Sequence, residues 1–344
     1  MKFSFPILLF VLLLFGCNLE KKKTPFSSVQ VAIIYEDSVS IRAIEIMGNS
    51  LAFAADKGVF GSVDLATNKV RLNAIDFEGK KPHFRSVAHT DTDFFILSIG
   101  SPALLYKTGE AGKMELVYKE EGENVFYDAM TFWNSKEGIA VGDSNNGCLS
   151  ILITRDGGKS WSKIPCENLP EGVGEEGAFA ASNTNIKVQG DKAWIATTNS
   201  RIYYSENKGV SWRVLATPIL GEESTQGIYS LDFYDAKIGV AIGGDYTNPE
   251  SNTRNKAITT DSGSTWKLIA NDKDPGYKSC VQFVPNSNGN EIVAIGFTGI
   301  SYSSDRGESW RQLSKESFYT LRFANDTIAY AAGKNRIARL NFKK

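Results

Sequence analysis

The chain has 344 residues, 22% charged and 42% hydrophobic, with 38 basic side chains against 39 acidic ones and a net charge of −1. A balance this close to zero supplies no basic field to hold a polyanion, so nucleic acid is excluded as a general partner. Two histidines and four cysteines, with no Cys-x-x-Cys arrangement, leave no ligand set for a zinc site or a redox pair; no metal and no other cofactor is expected.

The chain opens on Met1-Lys2, followed by an unbroken apolar run over residues 7–15 and then Gly16-Cys17. An apolar core of that length ending at a small residue reads as an export signal and is too short to span a bilayer as a helix. The ending Leu14-Phe15-Gly16-Cys17 resembles a bacterial lipobox, which implies acylation of Cys17 and a lipid-anchored place in the cell envelope, on the periplasmic or cell-surface side. An ordinary signal peptide with an incidental cysteine is the alternative. Residues 18–28 are polar, with Lys21-Lys22-Lys23 and Pro25, and read as a flexible tether whose lysines are solvated. Residues 29–344 are expected to form one domain.

From residue 41 onward the chain repeats one grammar. A strand of alternating apolar character comes first, near 41–46, 84–89, 126–132, 177–181, 228–233, 279–284 and 318–323. A strand rich in Ala and Gly follows, at 51–55, 94–97, 138–142, 193–196, 239–243, 292–296 and 329–333. Short strands at even spacing with turn signals between them mean an all-β fold. A unit of about 45 residues cannot bury its own faces, so the units must stack around an axis as a propeller. Near that axis sheets converge, which explains small residues in the second strands.

Four turns carry the pattern [ST]-x-[DN]-x-G-x-[ST]-W, ending at Trp161, Trp212, Trp266 and Trp310, with steps of 51, 54 and 44 residues. Asp156, Asn207, Asp261 and Asp305 are expected to accept from backbone N–H groups of their own turns. Gly158, Gly209, Gly263 and Gly307 are expected to supply positive φ, and the four tryptophans to fill the gap where neighbouring sheets diverge. Units one and two keep only worn versions, at 63–68 and 107–112. The last unit ends one strand short, and the run at 29–34 has no unit of its own. Pairing 29–34 with 336–341 would close the ring and remove both edges. The reading is a seven-bladed β-propeller with the N-terminal strand completing the last blade; the worn boxes of units one and two leave six or eight blades as alternatives.

Ligands of such a ring meet the mouth of its channel, where the first strands begin. Candidate binding residues there are Arg42, Arg85, Tyr127, Asp128, Glu176, Tyr229, Tyr277, Lys278 and Tyr319, a mixture of cations, carboxylates and phenols. Such a set suits an anionic or sugar-like ligand, or simply satisfies itself with water. Cys148 and Cys166 flank the third unit, and an oxidising envelope would allow a disulfide between them, but their spacing in sequence does not fix their distance. Loops at 170–176, 221–226 and 244–254 are long, the first two acidic, and read either as a recognition rim or as solvated connections.

The four boxes, with the runs Phe84-Arg85-Ser86, Phe126-Tyr127-Asp128-Ala129-Met130, Glu176-Gly177-Ala178-Phe179 and Gly243-Gly244-Asp245-Tyr246, give the chain a family likeness. Over roughly residues 30–342 it resembles BNR/Asp-box propeller proteins, in the branch similar to photosystem II assembly/stability factors. That resemblance implies a non-catalytic, monomeric scaffold that binds a protein client of a membrane complex, here at the envelope. Sialidases share the boxes, so a glycan-cleaving or glycan-binding alternative is carried beside it. Its carboxylate clamp would be Arg42, Arg85 and Arg322, its nucleophile Tyr229 or Tyr277 with Glu176, and its acid/base Asp128. The Arg-Ile-Pro motif of that family is absent; Ile41-Arg42-Ala43 stands in its place.

Overall fold

The computed structural model describes residues 24–344; the expected signal segment, Cys17 and the first part of the tether lie outside the described residues. Among the described residues the regular structure is strand, with two short 3-10 turns at Glu110–Gly112 and Cys166–Asn168. Consecutive strands pair antiparallel, as the short turn-rich connections require. Five sheets of four strands cover residues 84–120, 127–163, 186–216, 226–268 and 280–314. The second strand of each is packed between neighbouring sheets and is therefore apolar on both faces. In Ile292–Gly296, for example, Ile292, Val293, Ala294 and Ile295 are all fully buried.

The sixth sheet corrects the expected blade count. It has six strands in the order Thr320–Phe323, Ile328–Lys343, Ser28–Met47, Ser50–Ala55, Val59–Asp64, Val70–Ala74. Strands of the first and last sequence units therefore share one hydrogen-bonded sheet, and the ring has six sheets, not seven. The cause is the length of two strands. Ser28–Met47 pairs with Ile328–Lys343 from Ser28↔Lys343 to Ser40↔Lys334, and with Ser50–Ala55 from Ile41↔Ala55 onward. Register shifts at 33–35 and 36–40 let it bend from one partner to the other. Ile328–Lys343 itself doubles back at Asn335 (φ 65°), bringing Phe342 N to Thr327 O at 2.8 Å. Phe26 and Phe342 seal the seam, with ring centroids 5.0 Å apart.

A second correction concerns residues 177–181, expected to be the first strand of the fourth unit. No strand forms there. The innermost strand of that sheet is Ile186–Gln189, and residues 177–185 run through the middle of the ring. Innermost strands then touch in a closed circuit, from Ser28–Met47 through Phe84–His89, Tyr127–Phe132, Ile186–Gln189, Gln226–Phe233, Cys280–Phe283 and Thr320–Phe323 back to the start.

The box turns hold the sheets apart at the right angle. Asp156 Oδ1 accepts from Ser160 N at 3.0 Å and Oδ2 from the Ser160 hydroxyl at 2.7 Å, while Thr154 Oγ1 takes the Gly158 N–H at 2.9 Å. Asp261 and Asp305 repeat this set with Thr265 and Ser309, and Asn207 repeats the backbone part with Ser211. Two successive residues take positive φ in each box, for example Arg306 (60°) and Gly307 (85°). The second must be glycine for a further reason: a Cβ on Gly158 would lie 2.2 Å from the Phe95 ring of the preceding sheet, and one on Gly307 2.4 Å from Ile269. Trp161 stands edge-on to Phe132 and Phe95, at 5.7 and 6.5 Å between centroids, so box and tryptophan together wedge two sheets. Gly158→Ala combines a strained φ with overpacking and should cost about 2–4 kcal/mol, measured as a lower denaturation midpoint at unchanged m value. Arg306→Gly, which relieves φ without adding atoms, should be neutral or mildly stabilising in the same measurement.

Candidate functional site

Antiparallel pairing places the start of each first strand beside the hairpin joining strands two and three: Tyr127↔Gly142, Gln226↔Asp245 and Cys280↔Ile295. These ends form one face of the ring, here termed the upper face. Nearly all of the candidate residues start or precede first strands, so they belong to it.

The centre below that face is filled by the chain itself. Asn183 Oδ1 accepts from Met130 N at 3.0 Å and its Nδ2 donates to Val87 O at 2.8 Å; Leu231 N donates to Thr184 O at 2.9 Å. Ser182 Oγ donates to Ser279 O at 2.6 Å, and Thr320 Oγ1 donates to Ser182 O at 2.8 Å. Ser182, Asn183, Thr184 and Asn185 are all buried, and Asn183 takes the left-handed φ of 58° that asparagine tolerates. One segment thus reaches strands of four other sheets. Its leading end is pinned by Glu176, fully buried, which receives Thr197 Oγ1 at 2.6 Å, Arg201 Nε at 3.0 Å and a second Arg201 nitrogen. The Cys148–Cys166 disulfide is formed and braces the loop that leads there.

Arg42 and Arg85 hold the same segment from above. Arg42 donates to Ala181 O at 3.4 Å and lies 4.1 Å over the Tyr319 ring; its Nε is buried without a partner. Arg85 donates to Ala180 O at 3.3 Å and to His83 Nε2 at 3.4 Å. Burial and the neighbouring Arg42 pull Arg85 down to about 10, and burial with Arg85 pulls His83 down to about 4, so the imidazole is neutral and the Arg85 guanidinium stays charged at pH 7. Neither arginine has a carboxylate within ion-pair distance among the described residues.

Asp128 is fully buried beside Asp143, and neither of its oxygens makes a well-formed hydrogen bond. Burial, then repulsion from Asp143, pushes its carboxyl well above the ordinary range; Arg85 and the Ala180 amide pull weakly the other way. Asp143 is raised too, by burial, although it accepts Ala178 N at 3.0 Å. Burial thus favours the protonated form of both carboxyls under the central segment, and repulsion from Asp143 adds to it at Asp128.

Beside the cations runs a row of rings. Phe179 stacks on Tyr229 at 3.6 Å between centroids, Tyr229 meets Tyr277 edge-on at 4.8 Å, and Tyr277 stacks on Phe297 at 5.0 Å. Tyr229 spends its hydroxyl on Thr225 O at 2.8 Å. Phe297 and Tyr246 are 40% and 49% exposed, which leaves the outer end of the row open to solvent.

The structure therefore brings Arg42, Arg85, Asp128, Tyr229, Tyr277 and Tyr319 together and separates the rest. Tyr127 turns outward to Glu120 at 2.6 Å, with Tyr118 and Lys163 on the same carboxylate. Glu176 is an anchor whose phenol neighbour is buried Tyr203, not Tyr229 or Tyr277. Lys278 points into a side cleft, to Thr298 Oγ1 at 2.6 Å. Arg322 lies at the opposite end of its strand, paired with Glu45 at 2.6 Å and donating to Asn183 O, where it lines a recess of about 300 Å³ with Lys187 and Asp232. The nominated carboxylate clamp is thus not assembled: Arg322 is paired with Glu45 away from Arg42 and Arg85, which each give one N–H to the carbonyls of Ala181 and Ala180. Sequence reading missed Phe179, Tyr246 and Phe297, and the central role of Ser182-Asn183-Thr184-Asn185. The one available signal was a polar run standing where a first strand should be.

The carboxyl pair makes a pH prediction. Each acid binds its proton more tightly in the folded chain than in the unfolded one, so folding gains stability from the pair at low pH and loses it as pH rises from about 4 through the raised folded values. Asp128→Asn should flatten that decline: its melting temperature should exceed that of the parent chain at pH 8 and the gap should close toward pH 4.

No protein-family model and no curated protein matches the chain. Solved structures do. A structure described as YCF48 bound to D1 peptide superposes with a TM-score of 0.67 at 11% identity, covering 93% of this chain and 97% of that one. YCF48 from Cyanidioschyzon merolae gives 0.66 at 13% identity, covering 92% and 99%, and the WD40 repeats of RRP9 give 0.63 at 10%, covering 93% and 99%. At such identities the likeness shows a shared β-propeller fold.

Proposed function

We propose that this protein is a non-catalytic propeller scaffold that binds an extended segment of a client protein across its upper face, in the assembly or upkeep of a membrane complex. The observation that carries the reading is the row Phe179–Tyr229–Tyr277–Phe297 running out from two charged arginines that have no carboxylate of their own. Rings of this kind bury apolar area at small entropic cost, and Arg42 and Arg85 would receive an acidic group of the client. A propeller of the same fold is described with a bound peptide, which supports a protein ligand over a small substrate. What supports an envelope location is the apolar run at 7–15 ending on Cys17, whose acylation would tether the ring to a membrane.

The test uses a photo-crosslinking residue placed at Phe297, and in a control at exposed Val210 in the second box, in cells of the native host. Phe297 should give one discrete protein adduct that Val210 does not give. Phe297→Ala with Tyr246→Ala, both exposed and so tolerated by the fold, should weaken affinity for the captured client about tenfold or more. Equal adducts from both positions, a glycan adduct, or an affinity unmoved by the double substitution would each count against the reading.

A further inference from the structure

Outward of Phe297 on the same face lies a cleft of about 500 Å³ between the loops at 249–250 and 274–278 and the outer strand Arg311–Ser314. Its walls are built. Gly276 permits the two loops to touch, since a Cβ there would fall 2.1 Å from Pro249 O, and Tyr277 N donates to Pro249 O at 2.9 Å. Lys256, buried beneath, donates to Lys273 O, Pro275 O and Asn255 Oδ1 at 2.9, 2.9 and 2.5 Å, so three acceptors saturate its ammonium and fix the second loop.

Lys278 has no such cage. Its side chain is 2% exposed, yet its Nζ reaches only the Thr298 hydroxyl at 2.6 Å, and both residues line the cleft. Arg322, Arg201, Lys107 and Lys187 each face a carboxylate at ion-pair distance, which Lys278 does not. Two of the Lys278 donors are spare, and Glu250 and Asp274 act on the ammonium across the cleft without pairing with it, so a ligand that supplies a direct acceptor would relieve the cost of its burial. Arg311 and Lys315 add exposed positive charge at the rim, and Gln312, donating to Thr298 O at 2.9 Å, steadies the Thr298 wall. Glu250 and Asp274 also line the cleft, but both are solvent-exposed. Their presence bears on the ligand: two nearby carboxylates repel a dianion such as phosphate about twice as strongly as a monoanion, which favours a singly charged group. Pro249, Pro275 and Trp310 supply apolar wall for the body of the molecule.

We propose that this cleft binds a small monocarboxylate with an apolar body, its carboxylate received by Lys278 and the Thr298 hydroxyl. The cleft adjoins the aromatic row on the same face but is lined by none of its rings, so the client contact and this site can each fail alone. Burial brings the Lys278 ammonium down to about 8, which sets the pH behaviour: the free amine has a neutral fraction near that value, and the site should lose its charge as pH rises past it.

Benzoate, acetate and inorganic phosphate serve as probes, titrated into the full folded chain and followed by ligand-observed NMR. Benzoate should saturate, acetate should compete more weakly, and phosphate should not displace either at equal ionic strength. Benzoate affinity should fall from pH 7 to pH 9. Lys278→Met should weaken it about tenfold or more, and Lys278→Arg should keep it and abolish the fall with pH. Absence of saturable benzoate binding, an unchanged affinity in Lys278→Met, competition by phosphate as strong as by acetate, or a flat pH profile in the parent chain would overturn the proposal. Circular dichroism of both variants separates loss of the site from loss of the fold.

Discussion

The innermost strand of each sheet in a ring has one edge with no sheet neighbour, and the backbone groups on it must find partners at the axis. This protein meets that constraint with protein rather than with a water-filled channel. Side chains of adjacent first strands serve one another: Val281 N donates to Ser230 Oγ at 2.9 Å, Phe283 N to Asp232 Oδ2 at 2.8 Å and Phe323 N to Gln282 Oε1 at 3.1 Å. Where neighbours do not suffice, residues 182–184 supply the rest for Val87, Met130, Leu231 and Ser279. The ring is therefore held at its rim by the box turns and at its hub by one polar segment.

Filling the hub redirects the chemistry. Arg322 is committed to Glu45 and to carbonyls of the chain, Arg42 and Arg85 each brace the central segment through one N–H, and the carboxylate that could have served as an acid/base is fully buried. What remains accessible is the surface of the upper face: the outer end of an aromatic row, the solvent side of two cations and a lateral cleft with its own buried lysine.

The box pattern and its spacing made the fold class legible, because an Asp, a positive-φ Gly and a Trp at fixed offsets have few other uses. The junction of the ends was legible as well: 28–36 does lie beside 336–343. The sheet count was not, since counting repeat units cannot tell whether a strand stops between two units or bends from one partner to the next, as Ser28–Met47 does. Residues 177–181 misled for a related reason. Gly-Ala-Phe-Ala-Ala has strand-like composition, but the polar Ser182-Asn183-Thr184-Asn185 that follows is what a hub requires and a sheet edge does not. Single candidate residues at strand starts were placed on the correct face by register alone, whereas the direction of Tyr127, Glu176 and Lys278 depended on partners 7 to 25 positions away that no local pattern announces.

The central claim, that the axis is packed by residues 182–184, is tested most directly by amide hydrogen exchange at Met130 and Leu231, whose only acceptors at the hub are Asn183 Oδ1 and Thr184 O. Both amides should exchange as slowly as those of the fully buried strand residues Ile139 and Val141, and Asn183→Ala should accelerate Met130 selectively. Exchange of either amide at the rate of the exposed loop around Thr247 in the parent chain would show an open, hydrated axis and contradict the account.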